Sequence, residues 1–367
     1  MDSICNIAIY DKTFNPLGVT ALAESVLFQR ELFSTGSFQI VIHPDKKFAK
    51  ELAAKGNIVV INRNGYKSGI IRDIALEEKR DGAAYTILGA TGNVMLSNRI
   101  AVPPPGGDGY DSVTAAAETV IKYYVNQNLV NPSDPARRIP NLAIGPDKQR
   151  GVSLAVKLRY NNLSEALGSV AQYTELGYQT YADVINKRWM FDVVPGADRT
   201  KGQTANDPVF FMVEQSNAEG NIDNYKYTEN YRNFANAGYA GGTGDNAARA
   251  IQVIGNAAGI DRIEQFFDCG NVTGTDLTDA GTLALSNCTV DKSVDALALP
   301  RVFIFEKDYF IGDRVSVYLR RLGMTLNSQI TSVTEVWERQ NGYQVQVRFG
   351  LRKPIVFTLN TNTSGVR

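Results

Sequence analysis

The residues Gly242-Thr243-Gly244-Asp245-Asn246-Ala247 match the G-x-G-x-x-A spacing with which a turn can hold a dinucleotide pyrophosphate, and Asp261 or Glu264 stands near the distance of a ribose-binding acid. That chemistry needs a buried strand entering the turn and a helix N-terminus leaving it. Here Asn233 to Tyr239 is polar and aromatic, and Ala250 to Gly255 is too short for a crossover helix and reads as a strand. The segment is therefore predicted to be a glycine-rich hairpin loop. His43, the only histidine, lies in His43-Pro44-Asp45 with no G-x-S-x-G elbow to serve, and reads as a turn residue. Cys5, Cys269 and Cys288 are scattered without a Cys-x-x-Cys spacing, against both a disulfide scaffold and a zinc finger. Gly106 to Asp111 carries two acids but no EF-hand ligand series. Two carboxylates suffice for a glycosidase, and Asp183 with Asp192, or Asp308 with Asp313, are the pairs on offer. Carboxylates at strand ends are more often turn formers. Trp337, Tyr309 and Phe310 could make a sugar platform, although aromatics in alternating strands more often fill cores. No catalytic, cofactor-binding or metal-ligating residue is assigned, and no cofactor is expected.

The elements that would position any such residue are mostly strands, and they repeat. Gly312-Asp313 opens Arg314 to Leu319, Ile330 to Glu338 follows, and Asn341-Gly342 leads into Tyr343 to Phe349. Near the other end, Gly56-Asn57 opens Ile58 to Ile61. Ile70 to Glu78 follows, and Asp81-Gly82 leads into Ala84 to Leu88. Asn-Gly and Asp-Gly between apolar alternations are strong hairpin signals, because a type I′ turn needs positive φ at both central residues. Gly82 and Gly342 are accordingly expected at positive φ. Glu78 and Glu338 each stand four residues before these glycines.

At 367 residues the chain exceeds one growing core, so several domains are expected. Asp45 begins a short helix closed by Gly56, and Pro103-Pro104-Pro105-Gly106-Gly107 marks a boundary. A helix capped by Asp111 or Ser112 runs to Val125, and residues 126 to 151 form a long loop. Val152 to Leu158 is a strand, Leu163 to Leu176 a helix, and Tyr178 to Val194 a hairpin turning near Asn186. Val209 to Glu214 is a further strand. From Tyr225 the chain is β-rich, with one short helix after Asp279. The fold class expected is mainly β with an α+β insert. Two tube-like β-barrel or sandwich domains fill 1–105 and 225–358, a smaller α/β domain 106–224, and a polar tail 359–367.

Net charge is zero, with 38 basic and 38 acidic side chains and no concentrated basic stripe of the nucleic-acid-binding kind. The signs are unevenly spread: residues 225 to 299 hold 5 basic and 9 acidic, and 300 to 367 hold 10 basic and 5 acidic. No long apolar stretch occurs and the start lacks a basic-then-apolar leader, so a soluble protein made without export is expected, with no stable membrane insertion.

Glu306 to Val317 resembles the D-Y-x-x-G-D-x-V-x-V signature of a tail-protein family of long-tailed siphophages. Asp198-Arg199-Thr200, Asp207-Pro208-Val209-Phe210-Phe211, Ala240-Gly241-Gly242 and Gly259 to Glu264 are similar to that family's middle blocks, and Phe349-Gly350 to its closing pair. Arg262-Ile263-Glu264 departs from the family's frequent arginine pair. The resemblance implies a baseplate hub with two tube-like barrels per chain, as in the hub region of tail-associated lysins. Three chains then give a six-barrel ring beneath the tail tube. It implies a homotrimer in the virion tail, assembled in the host cytoplasm and not an enzyme. Its partners would be a distal tail or tail tube protein, the tape-measure protein and tail-tip or receptor-binding proteins. DNA would pass through without specific binding. With about seventeen residues after Gly350, no wall-degrading domain is expected. A distal-tail ring protein and a cell-wall hydrolase are the alternatives. Arg314, Arg320, Arg321, Arg339, Arg348, Arg352 and Lys353 are expected at subunit contacts or on the outer surface.

Overall fold

The computed structural model describes residues 5–80, 82–107, 109–213, 220–270, 272–300, 302–339 and 341–350. The chain forms two compact units: one takes residues up to Tyr225 together with Asp295–Phe349, the other takes Lys226–Val294.

The first unit opens with strands β1 (Ile7–Tyr10), β2 (Pro16–Thr20), β3 (Ser25–Glu31) and β4 (Ser37–Ile42). Helix α1 (Ala49–Leu52) leads to β5 (Ile58–Ile61), β6 (Ser68–Lys79) and β7 (Gly82–Thr91). After helix α2 (Val94–Ser97) come β8 (Asp111–Ala116), α3 (Ala117–Val125), β9 (Leu142–Ile144), β10 (Ser153–Leu158), α4 (Leu163–Thr174), β11 (Gly177–Asp183), β12 (Arg188–Val194) and β13 (Phe210–Met212). The chain leaves the unit along β14 (Ile222–Asn230) and returns along β18 (Asp291–Ala298). It finishes with β19 (Arg314–Leu319), β20 (Met324–Glu338) and β21 (Gly342–Phe349).

The fold is mainly β, as composition and alternation predict, but its strands do not make two separate barrels. No closed barrel is present among the described residues. The strands of both repeats lie in one sheet, ordered β14-β18-β21-β20-β3-β4-β7-β6-β5-β1-β2, with β19 against β20 and β13 against β19. The repeats merge because β20 is long enough to serve two partners along one edge. Its first half pairs with β19 (Arg314↔Gln329 to Leu319↔Met324), and its second half pairs with β3 (Ser332↔Glu31 to Glu338↔Ser25). On the core face Phe28 lies beside Phe38 with ring centroids 6.3 Å apart, packed with Val26, Ile40, Ile87 and Trp337. Each such fully buried side chain contributes about 2 kcal/mol of transfer free energy.

The repeat itself is real and extends to the backbone hydrogen bonds. In the first copy Gly56 (φ 88°) donates to the Ile71 carbonyl, and Ile71 donates to Asn57. In the second, Gly312 (φ 95°) donates to the Ile330 carbonyl, and Ile330 donates to Asp313. A bulge follows immediately in each, at Arg72 and at Thr331. From there the hairpins run Asp73↔Leu88 to Lys79↔Gly82 and Ser332↔Arg348 to Glu338↔Gly342. The glutamates do not correspond, since Glu78 faces Ala83 while Glu338 faces Gly342, because the second turn is one residue longer. Gly342 has φ 73°, whereas Gly82 lies outside the left-handed region. Its turn partner Asp81, like Arg352, Lys353 and the tail after residue 358, lies outside the described residues.

The insert holds α3 and α4 against the sheet β11-β12-β9 and the ribbon β10-β8. Residues Asp111 to Ala116 are a strand rather than the start of α3. β-branched Val113 and Thr114 pair with β10, and Asp111 accepts from Tyr123 Oη (2.8 Å) instead of capping the helix.

In the second unit, β15 (Ala237–Gly241) is flanked by β16 (Ile251–Ile254) and β17 (Glu264–Asp268), and α5 (Gly274–Ser286) covers one face through Leu277 on Ala240 and Ile254. Helix α5 begins before Asp279, and Gly281 lets it approach, since a Cβ there would stand 2.6 Å from that of Ala240. The sequence reading does not separate this unit from the C-terminal strands, because its strands are as short and as aromatic as theirs.

Candidate functional site

None of the sequence-level candidates for catalysis assembles into a site. Gly242 to Ala247 is the loop of the antiparallel β15–β16 pair, closed by Gly242 N to Ala250 O (2.8 Å) and Ala250 N to Thr243 O (2.8 Å), and its single 3-10 turn, Asn246–Ala248, is too short to receive a phosphate as a crossover helix does. His43 is a turn residue whose Nδ1 accepts from Asp45 N at 3.2 Å. Asp183 pairs with Arg188 (3.0 Å) and Asp192 with Lys122 (2.7 Å), each committed to its own cation. Asp308 accepts from Ile304 N (2.7 Å) as a turn former. Trp337 and Tyr309 are buried in the core, and Phe310 is exposed apart from them. Burial, aided by Glu335, pushes the Cys5 thiol up to about 12, which keeps it from acting as a nucleophile. No metal-binding group of His, Cys, Asp and Glu exists among the described residues, and no helix among them is long and apolar enough to cross a membrane.

What the signature residues build instead is a clamp. Asp313, buried, accepts from Ala197 N (2.8 Å), Phe310 N (3.0 Å) and Arg199 Nε (2.9 Å). Arg199 also reaches the Asp207 carbonyl, and its own carbonyl accepts from Val209 N, while Val209 O accepts from Ser316 N. The blocks 198–200, 207–211 and 312–317 thus meet at one carboxylate. Gly312 and Gly196 must be glycines there, because a Cβ on Gly196 would lie 1.9 Å from the Gly312 oxygen.

The second arrangement lies where β20 meets β3. Glu335, fully buried on β20, accepts from Lys67 Nζ (2.5 Å), Arg30 Nη2 (3.1 Å) and Tyr343 Oη (2.7 Å). Glu306 closes the network on Arg30 (2.8 Å) and Lys67 (2.9 Å). Burial alone would raise Glu306, but the two cations outweigh it and hold its carboxyl below the ordinary value. Four charges from β3, the β5–β6 loop, the 299–313 loop and β20 are neutralised in pairs, so the junction of the repeats is locked ionically as well as by strand pairing. A lone alternating Glu335 inside an apolar strand is the signal by which sequence reading could have found it.

The same edge is used differently in the other copy. β6 pairs with β5 only through Ser68–Ile70, and among the described residues Arg72–Lys79 has no partner on that side. β14 ends the order of the sheet at the far side; its first residue, Ile222, is bridged in parallel to Val213, and among the described residues the rest of that edge has no strand partner. The arrangement is therefore one of strand edges.

No curated protein matches the chain in sequence. Among solved structures it is similar to a tail protein from Neisseria meningitidis (TM-score 0.60, 12% identity, covering 95% of this chain and 97% of that one). It is also similar to the 43 kDa tail protein of prophage MuSo2 from Shewanella oneidensis (TM-score 0.57, 11% identity, 94% and 98% covered). Prophage tail protein gp18 from Listeria monocytogenes gives TM-score 0.55 at 11% identity, with 96% of each chain covered. These likenesses establish a shared fold. The family described as Siphovirus ReqiPepy6 Gp37-like protein matches residues 6–351, and with nearly the whole chain covered, this protein belongs to it.

Proposed function

We propose that the protein is a structural, non-enzymatic component of a phage or phage-like tail: a baseplate hub that joins tail tube to tail tip in the virion and forms the channel for DNA and tape-measure protein. The observation that carries this reading is the strand junction. Within one chain, the β3 edge of one repeat is paired to the β20 hairpin of the other. Among the described residues the equivalent edge of the β6 hairpin is open, and so, beyond the Val213–Ile222 bridge, is the edge of β14, which holds in the second repeat the place that β3 holds in the first. An unpaired edge next to a paired copy of itself is a template for β-augmentation by a second chain. Pairing β14 of one protomer with β6 of the next is heterologous, and such a contact closes into a ring when its rotation is a whole fraction of a turn. Three chains, each with two repeats, make six similar segments that fit beneath a six-fold tube. In this scheme strands β3, β4, β6 and β7 make one tube-like segment and β14, β18, β20 and β21 the other, with the unit 226–294 inserted within the second. A distal tail or tail tube protein above, tail-tip or receptor-binding proteins below, and assembly in the host cytoplasm follow from the same role.

Mass measurement of the intact assembly tests it. Three copies are expected; six would point to a distal-tail ring protein, and a monomer at high concentration would remove the edge argument. Release of soluble muropeptides from cell wall by the purified protein would establish the hydrolase alternative instead.

A further inference from the structure

Where the hairpin β11–β12 of the insert docks on the large sheet, three buried polar atoms have no hydrogen-bond partner among the described residues. They are Arg30 Nε on β3, Asn93 Oδ1 just after β7 and Thr180 Oγ1 on β11. All three side chains line one cavity of about 20 Å³, with Glu31 and the signature residue Ile311 also in its wall. Asn93 and Thr180 are 3% and 5% exposed, and the Arg30 side chain 11%. Buried donors and acceptors left unpaired are costly, so native structures pair them with protein or with ordered water.

The docking of β11 accounts for the gap. Its outer edge bonds to the sheet on both sides of Thr180: Tyr178 N to Leu32 O (3.1 Å) before it, and Ala182 N to Gly65 O (3.2 Å) and Ser68 Oγ (3.0 Å) after it. Thr180, midway between, makes no such bond among the described residues. The chains already touch at Gly92, where a Cβ would stand 2.5 Å from the Thr180 carbonyl oxygen, so they cannot close further on the space beside it.

We propose that this cavity is a binding site for one water molecule, which serves as the middle rung of the joint between β11 and the sheet. The volume suits a single water, which needs ~10–15 Å³ and two to four polar partners. The water accepts from Arg30 Nε, donates to Asn93 Oδ1, and bonds the Thr180 hydroxyl, which can give or take a hydrogen. Asn93 is oriented for this role, because its Nδ2 is already committed to the carbonyls of Ser34 (3.0 Å) and Tyr178 (3.3 Å). A cation would face the Arg30 guanidinium, and an anion would face Asn93 Oδ1 and the Glu31 carboxyl oxygens. A neutral group that both gives and takes hydrogen bonds satisfies all of them. Through Arg30, whose Nη2 holds Glu306 and Glu335, the water also ties the insert to the ionic junction of the repeats.

Deuterium relaxation dispersion, which counts waters held for longer than the protein tumbles, tests the proposal in solution. Wild-type protein is compared with Thr180→Val, which exchanges the hydroxyl for a methyl group of similar shape, and with Thr180→Ser, which keeps the hydroxyl. Wild type and Thr180→Ser are expected to hold one more long-lived water than Thr180→Val. A crystal of the wild type should show a density peak within hydrogen-bonding distance of all three atoms, with no anomalous signal there after a bromide soak. Equal water counts in all three proteins would overturn the proposal. Loss of the water in Thr180→Ser as well would remove the hydroxyl as its partner and overturn the three-partner site. An absent peak, or bromide in its place, would overturn it even if Thr180→Val fails to fold. All the lining residues belong to one unit of one chain, so the outcome does not depend on copy number, and the hub reading stands or falls separately.

Discussion

The hairpins β6–β7 and β20–β21 are the same device in two settings. Each follows a left-handed glycine, each bulges one residue after an isoleucine that bonds back to that glycine, and each then runs seven cross-strand pairs to its turn. The residue after the glycine shows how they diverge. Asn57 donates its amide to the Glu51 carbonyl (2.8 Å) and closes a short helix, whereas Asp313 collects two backbone amides and Arg199. The larger divergence is along the edge. Counting from the bulge, the fourth position is Glu335 in one copy, buried among cations beneath a partner strand. In the other it is Leu76, 54% exposed beside an edge with no partner among the described residues. The pair teaches that one backbone geometry can be finished either within the chain or by another chain, and that side chains choose.

The largest effect should come from breaking the finished copy. Glu335→Ala leaves Arg30 and Lys67 buried against Glu306 alone, and removing one partner of a buried ionic network typically costs about 3–5 kcal/mol. Chemical denaturation should show a loss of this size, and Tyr343→Phe a smaller one. A Glu335→Ala protein as stable as wild type would mean that strand pairing alone holds the junction.

Acid should act on the same copy. Glu306 has a carboxyl held below its ordinary value of 4.5 by Arg30 and Lys67, against the opposing effect of burial. A depressed folded value contributes stability above the unfolded one and loses it as pH falls through the folded value. Unfolding midpoints should therefore drop as pH is lowered below about 4.5, and Glu306→Gln should flatten that drop. Glu118, whose Arg150 and Lys122 contacts overcome burial and hold it at about 2, acts with the same sign. The difference between wild type and Glu306→Gln, rather than the whole curve, thus reads the junction. Parallel curves for the two would exclude Glu306 from it.

Much of this was legible in the residues. The Gly-Asp and Gly-Asn openings, the hairpins and the order of strands follow from alternation and turn chemistry, which are local. The merging of two β units into one sheet was not legible, because pairing of Ser332 with Glu31 depends on an edge 301 residues away in sequence. Nor was the separate unit 226–294, since its core of Ala240, Ile254 and Leu277 carries no periodicity different from its neighbours. The dismissal of a nucleotide fold around Gly242 rested on the missing helix, and the β15–β16 loop explains why none could form.

The turns offer a finer contrast. Gly342 sits at φ 73°, where a β-branched residue is strained, and Gly82 does not. Gly342→Val should cost about 1 kcal/mol or more, and Gly82→Val less, as read from paired denaturation curves. Equal losses would mean that the β6–β7 turn is strained in a way its φ does not reveal.

The smallest expected effect on stability is also the one that most sharpens the contrast. Leu76 is half-exposed, pairs with Tyr85 across β7, and sits where the other copy buries Glu335. In an isolated chain, Leu76→Ser removes little buried area, so its unfolding free energy should stay within about 0.5 kcal/mol of wild type. In an assembled ring the same side chain would lie beneath the incoming β14, as Glu335 lies beneath β3. The variant should then dissociate to single chains at a higher protein concentration than wild type, measured by mass across a dilution series. Serine at this position would keep the strand backbone intact, so a shift in assembly without a shift in unfolding isolates the edge. If dilution curves of Leu76→Ser and wild type coincide while both form rings, the open edge of β6 is not the contact. The two hairpins would then differ only in what covers them within one chain.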